Sequence, residues 1–354
     1  RAKYRPLASR VTDRAELADV FQQMIGELVA LHMYVYGGDQ RVGSDNAAAA
    51  TLGAEWERDD AAGGWRVTHV HHADPDEPES LSPLERPGVD VREGDVVTAI
   101  NGVSTLSVAH PSALLRRKAG KEVLITVKRG GVARDVIVRP INSAKDTELR
   151  YDAWEYGCRT RVDSLSNGRI GYVHLRAMGA GDMAQFTRDY YPVYDRDGLI
   201  VDARNNGGGN IDAWVLSRLI RRSWMWWQPR NGRPFGNMPF AFSGKMTVLV
   251  NERTASDGEA FAEGFRRLGL GKVIGTRTWG GEIWLSQDNF LVDRGIATAA
   301  ETGVYGADGR WLIENHGVDP DLTVDNAPRE TFDGRDAQLE AAVKYLMGEL
   351  ARDP

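Results

Sequence analysis

Between residues 13 and 34, Leu17, Val20, Phe21, Met24, Ile25 and Leu28 recur at intervals of three and four, which places one apolar stripe along a helix; the pattern predicts a helical segment ending near His32. From about residue 47 to 142 the pattern changes. Short runs rich in β-branched residues, at 65–70, 96–100 and 123–127, are separated by turn formers such as Asn101-Gly102 and Arg129-Gly130-Gly131, which predicts a small β-barrel. From about residue 146 onward, runs at 170–175, 198–202 and 246–250 read as buried strands and alternate with helical patterns at 212–222 and 259–268. That alternation predicts an α/β domain.

At 354 residues the chain is expected to hold two or three domains. We divide it into a helical segment at 1–46, a β-rich domain at 47–145 and an α/β domain at 146–354. An apolar fraction of 42% and a charged fraction of 27% are ordinary for a globular protein, and a net charge of −6 gives no electrostatic footprint for nucleic acid. The one cysteine, Cys158, excludes an intrachain disulfide, fits a reducing compartment, and reads as a small buried apolar residue. No apolar run approaches the roughly 18–20 residues that span a bilayer, and nothing near the start resembles a signal peptide. The chain begins at Arg1 without an initiator methionine, so a piece of a longer protein is expected. The acidic loop at 74–79 reads as a solvated insertion.

The candidate chemistry centres on Ser256. The strand at 246–250 runs through a polar turn into a helix, which puts Ser256 at a helix N-terminus, where unpaired N–H groups would stabilise an oxyanion. The same residues fit a capping box, since Ser-x-x-Glu at 256–259 also starts a helix, and both readings stand. A second glycine-rich turn, Asn205-Asn206-Gly207-Gly208-Gly209-Asn210, allows close backbone approach to a ligand; it lacks the Lys and Ser/Thr of a phosphate-binding loop. A serine nucleophile needs a base, which leaves His32, His69, His71, His72, His110, His174 and His316, or Lys272 or Lys344 beyond the serine. His69, His71 and His72 lack further metal-ligand spacing and are expected on the surface or facing a partner, and His174 is expected as a hydrogen-bonded core or edge residue.

Two segments of the β-rich domain carry a resemblance. Pro87-Gly88-Val89-Asp90-Val91-Arg92-Glu93-Gly94-Asp95 through Gly102 resembles the central signature of PDZ domains, and Leu52-Gly53-Ala54-Glu55 resembles their carboxylate-binding loop. Five further motifs follow in order: Gly171-Tyr172-Val173-His174-Leu175, the run 197–210, the Ser256 segment, the run 268–281, and Glu314-Asn315-His316-Gly317-Val318-Asp319-Pro320-Asp321. Together they resemble the C-terminal half of tricorn proteases, relatives of the C-terminal processing peptidases. The resemblance covers nearly the whole chain. It implies a helical segment, a PDZ-like β-barrel and an α/β catalytic domain of the crotonase/ClpP-like, S41 type.

Carried over residue by residue, the resemblance makes Ser256 the nucleophile, His32 the general base and Glu314 the carboxylate completing the set. The amides of Gly209 and Asp257 become the oxyanion hole, and Leu52, Gly53 and Ala54 the peptide-binding loop. It also implies cytosolic hexamers that degrade short peptides released by larger proteases, and no metal or organic cofactor. The processing peptidases use a lysine base where this chain has Gly281, which favours His32. Two positions depart from the family pattern. Leu31 replaces a serine that bridges the histidine to the glutamate, and Trp227 falls where an aspartate selects basic P1 side chains, which shifts the expected P1 preference toward apolar or aromatic residues. The rival reading is a catalytically inactive scaffold with a peptide-binding module.

Overall fold

The computed structural model describes residues 2–40, 47–286 and 288–352. The chain forms two compact units, one built from the described residues before 41 together with those from 159 onward, the other from residues 47–158. The helix Ser143–Ser166 crosses from one span to the other.

The larger unit is organised by a parallel sheet whose strands run, edge to edge, Leu322–Thr323, Gly271–Gly275, Lys245–Val250, Gly198–Asp202 and Ile170–His174. Every residue of Ile170–His174 and of Gly198–Asp202 is buried, as expected for strands covered on both faces. Alternate side chains divide between those faces. Leu199, Val201, Met246, Val248 and Val273 pack with Phe186, Val215, Phe261 and Phe265 of three helices in one contiguous core. The helix Ala337–Arg352 packs on the same strands and buries Leu339, Leu346 and Leu350.

The N-terminal segment departs from the predicted helix. The helix is Arg14–Gly26, capped by the Asp13 carboxylate on the Glu16 amide, and it stops well short of His32. Leu28 and Val29 extend the apolar pattern but lie exposed, and Val29 takes a φ of 56°, which a continuing right-handed helix excludes. His32 therefore lies in a turn leading into the two-residue strand Val35–Tyr36, which pairs with Ile296–Ala297. An Arg14–Asp293 ion pair fixes the helix to the same region.

The smaller unit is an antiparallel sheet ordered Ala54–Asp59, Gly64–Val70, Val96–Ile100, Val123–Arg129 and Val132–Val138, with Val103–Ser104 paired to Val96–Ile100. Leu52, Val67, Leu84, Ile100, Ile125 and Val127 fill its core. The strand Ala54–Asp59 is an edge, so one row of its backbone groups is open to pairing.

Candidate active site

The strand Lys245–Val250 ends at the tip of the sheet, and the chain turns sharply into the helix Asp257–Arg267. Ser256 occupies the turn with φ 54° and ψ −129°, a strained backbone state for a residue with a side chain. The strain has a visible effect. Ser256 offers its main-chain carbonyl to the Glu259 amide at 2.7 Å, so its hydroxyl does not serve as the cap and has no hydrogen-bond partner among the described residues. Only the reciprocal half of the capping box is present, with Glu259 Oε2 accepting from the Ser256 amide at 3.0 Å.

The hydroxyl opens on a cleft of about 640 Å³ whose walls include His32, Tyr34, Gly209, Trp279 and Leu285. Of the seven histidines, His32 alone lines this cleft. The others are accounted for elsewhere. His174 is buried beside Asp202 and Arg204, where burial pushes its pKa down to about 4. Exposed His316 meets Asp319 at 2.6 Å, and His110 sits at the start of the 111–115 turn and accepts from the Ser112 amide. His69 and His72 are half exposed and pair with Glu93 and Glu85, but His71, expected on the surface or facing a partner, is 6% exposed beneath them. No group among the described residues has the geometry to hold a metal ion.

His32 is 6% exposed, and its Nδ1 lies 2.8 Å from the carbonyl oxygen of Ile283. A carbonyl can only accept, so the neutral ring carries its proton on Nδ1 and keeps the Nε2 lone pair available to accept one. The ring packs edge-on against Trp279, with centroids 5.5 Å apart. Its main chain is pinned as well, because Thr298 Oγ1 donates to the His32 carbonyl at 2.8 Å and accepts from the Tyr34 amide at 2.7 Å. No hydrogen bond joins His32 to Ser256 in this structure; such bonds often tighten only when substrate is bound.

Glu314 is separated from the imidazole by the main chain of Ile283 and makes no hydrogen bond to it. Its carboxylate accepts from three main-chain amides, Leu31 at 3.1 Å, Glu282 at 2.7 Å and Ile283 at 2.9 Å. The imidazole and the Glu314 carboxylate therefore meet the same residue, Ile283, one at its carbonyl and the other at its amide, and no direct bond joins them. Where the family pattern places a serine, the ring here meets the Ile283 backbone carbonyl.

Glu259, read in the sequence only as a capping residue, proves to be a second clamp. It is fully buried and binds the amides of Ser256, Gly280 and Gly281 and the hydroxyl of Thr278. Burial is the leading influence on its carboxyl and raises its pKa despite these donors. Glu259 and Glu314 thus hold the 278–283 loop between Ser256 and His32. The sequence marked 278–281 through resemblance, but not its clamped main chain, because the atoms that hold it are backbone ones.

The expected oxyanion donors flank Ser256. Gly209 has φ 153° and forms a parallel bridge with Met178, in which Met178 donates to Gly208 and Asn210 donates to Met178. The Gly209 amide is therefore turned away from Met178, and neither it nor the Asp257 amide has an acceptor among the described residues. A Cβ at Gly208 would lie 2.5 Å from that of Ser256, so this approach requires glycine.

Trp227 does not join this cleft. It sits about half exposed on a two-residue strand paired with Phe235 and lines a separate cavity of about 570 Å³ with Trp226 and Phe235. In the smaller unit, Leu52 and Ala54 line a pocket of about 290 Å³ with Trp56, Ile100 and Leu115, but Gly53 turns its amide onto Thr51 Oγ1 at 3.2 Å.

A model of peptidase family S41 matches residues 169–324, and a model of the tricorn protease PDZ domain matches residues 50–143. The chain is 37% identical to tricorn protease homolog 1 of Streptomyces coelicolor, over 99% of this chain and 33% of that protein. It is 31% identical to the tricorn protease of Thermoplasma acidophilum, over 98% of this chain and 32% of that one. The crystal structure of the tricorn protease matches 99% of this chain and 34% of its own, with a TM-score of 0.89 at 29% identity. The chain spans about a third of the length of these relatives. No helix among the described residues is long and apolar enough to cross a membrane.

Proposed function

Because this chain belongs to the tricorn protease family, matching its C-terminal region with a tricorn PDZ domain and an S41 peptidase domain, we propose that it is a serine endopeptidase acting on short unfolded peptides. The observation that carries the reading is an uncommitted Ser256 hydroxyl on a strained turn, sharing a cleft with a histidine whose Nδ1 is committed to a carbonyl. His32 Nε2 takes the Ser256 proton as Oγ attacks the scissile carbonyl, and the Gly209 and Asp257 amides receive the oxyanion. The imidazolium then protonates the leaving amine as the C–N bond breaks. Water, deprotonated by the same nitrogen, releases the acid and restores Ser256.

Tyr34, Tyr36, Trp279 and Leu285 in the cleft wall support a preference for apolar or aromatic P1 side chains, with Glu252 in the same wall as the carboxylate that would oppose it, and within one chain Trp227 stands apart from this cleft. Cleavage of a peptide library would show it, and a clear preference for Arg or Lys at P1 would overturn it. The open edge Ala54–Asp59 and the pocket beside Leu52 and Ala54 suit an added peptide strand. Following the family, we place the protein in the cytoplasm as a hexamer downstream of larger proteases.

The test is covalent labelling with a fluorophosphonate. Stoichiometric reaction at Ser256, lost in Ser256→Ala and slowed in His32→Ala, is expected. A folded protein that takes no label would instead favour the inactive scaffold.

A further inference from the structure

Asp257 is 2% exposed, yet its side chain is turned inward onto a neighbouring helix and away from its own first turn. Its Oδ2 accepts from the Ile211 amide at 2.6 Å and from the Asp212 amide at 3.0 Å. Those amides open the helix Asp212–Leu219 and follow directly on the loop that carries Gly209. One carboxyl therefore joins the two segments that each contribute an oxyanion donor, with Met178 holding the far flank of the glycine loop.

We propose that Asp257 is a positioning residue for the oxyanion hole, its side chain setting the separation between its own amide and that of Gly209. The proposal rests on the hydrolase reading above. An amide displaced by a fraction of an ångström donates poorly to an oxyanion, so a tie between the two donor segments acts on the rate of acylation and little on substrate binding.

The second carboxyl oxygen adds a consequence. Oδ1 is buried, meets no donor at hydrogen-bond geometry, and has the Asp212 carboxyl as its polar neighbour. The ionisable groups that face the carboxyl are Asp212, at the start of the tied helix, and Glu282, on the 278–283 loop; Glu282 in turn faces Glu259 and Glu314. Burial first, then the Asp212 charge, pushes Asp257 up to about 7. In its neutral form the acid ties both amides and sets no negative charge beside the developing oxyanion. Ionisation adds that charge, so acylation is expected to fall as pH rises through the neutral range.

The experiment is fluorophosphonate labelling of the full chain from pH 5.5 to 9.5, with the maximal rate separated from the half-saturating concentration. Asp257→Ala should lower the maximal rate by about 100-fold, the scale of a lost oxyanion donor, with the half-saturating concentration little changed. Asp257→Asn, neutral and still an acceptor for both amides, should recover most of the rate and lose the fall through the neutral range. Should the alanine variant not fold, the asparagine profile decides. Labelling of Asp257→Ala at the wild-type rate, or a fall between about pH 6 and 8 retained in Asp257→Asn, would overturn this proposal alone; a fall near pH 9 belongs to Glu282. A folded wild type that takes no label would overturn it together with the hydrolase reading.

Discussion

Replacing Glu314 tests whether the base is held by main-chain atoms. The carboxylate binds three amides, one beside His32 and two in the loop whose Ile283 carbonyl orients the imidazole. A hydrogen bond to a charged group is worth roughly 1.5–3 kcal/mol, and orphaning a buried donor costs about 1–3 kcal/mol. Glu314 is only half-buried, so water recovers part of the loss. Glu314→Ala should therefore cost about 3 kcal/mol, a large share of the roughly 5–15 kcal/mol that stabilises a domain. Glu314→Gln keeps one oxygen for the Glu282 and Ile283 amides and turns its NH2 on the Leu31 amide, so about 1 kcal/mol is expected. Loss of tautomer control lowers kcat by about 10⁴ in a serine protease triad. Here the Ile283 carbonyl remains in both variants, so about 100-fold slower labelling is expected for alanine and a smaller loss for glutamine. Urea unfolding followed by tryptophan fluorescence and fluorophosphonate labelling would measure both quantities. Wild-type midpoints and rates in both variants would refute the clamp. A glutamine variant as slow as alanine but fully stable would mean that the charge, and not the acceptor geometry, supports His32.

Three further outcomes are expected. Glu282 is 2% exposed, and burial followed by the charge of Glu259 pushes its pKa up to about 9 from 4.5, so the native state holds a proton that the unfolded state has released. Its contribution is fully present below about pH 4.5 and is lost as pH rises toward 9, about 3 kcal/mol by pH 7 at roughly 1.4 kcal/mol per unit. Glu282→Gln should therefore flatten the fall of urea midpoints between pH 5 and 9, and an unchanged slope would count against the buried acid. Gly209→Ala would drive a Cβ into the Met178 carbonyl, and about 100-fold slower labelling is expected from the displaced amide; a wild-type rate would remove Gly209 from the oxyanion hole. Thr298→Val leaves the His32 carbonyl and the Tyr34 amide unpaired, so a loss of about 2 kcal/mol with slower labelling is expected, and equal urea midpoints would show that the segment is held otherwise.

What the sequence made legible follows the physical range of its signals. The strands Gly198–Asp202 and Lys245–Val250 were readable because burial on both faces leaves an apolar run, and the Ser256 turn because a strand, a polar tetrad and a helix start lie within a few residues. The end of the first helix was not, since Leu28 continues the apolar spacing while the backbone has already left it. His32 could be named only through resemblance, for its partners lie at 283 and 298 and no local pattern points to them. Trp227 was placed by alignment to a specificity position, and its hairpin carries it to a different cavity.

Leu31 shows why such a departure misleads. A side chain at 31 bears on catalysis only if it faces the imidazole, and here the groups that matter are its main chain and its bulk. The Leu31 amide is spent on Glu314, and a Cβ at residue 281 would run first into the Trp279 ring and then lie 3.1 Å from the Leu31 Cβ, so a side chain at 281 would crowd both. The glycine that removes a lysine base thus also lets the base-bearing segment approach the loop. With the approach secured, the Ile283 carbonyl reaches Nδ1, and in the proposed mechanism the positive charge that His32 would gain from Ser256 lies across the main chain of one residue from an anion that three amides hold in place. Orientation and charge compensation, which one side chain joins in the family pattern, are divided here between a carbonyl and a carboxylate. A carbonyl is supplied by any residue, so no substitution pattern at 283 could have announced it.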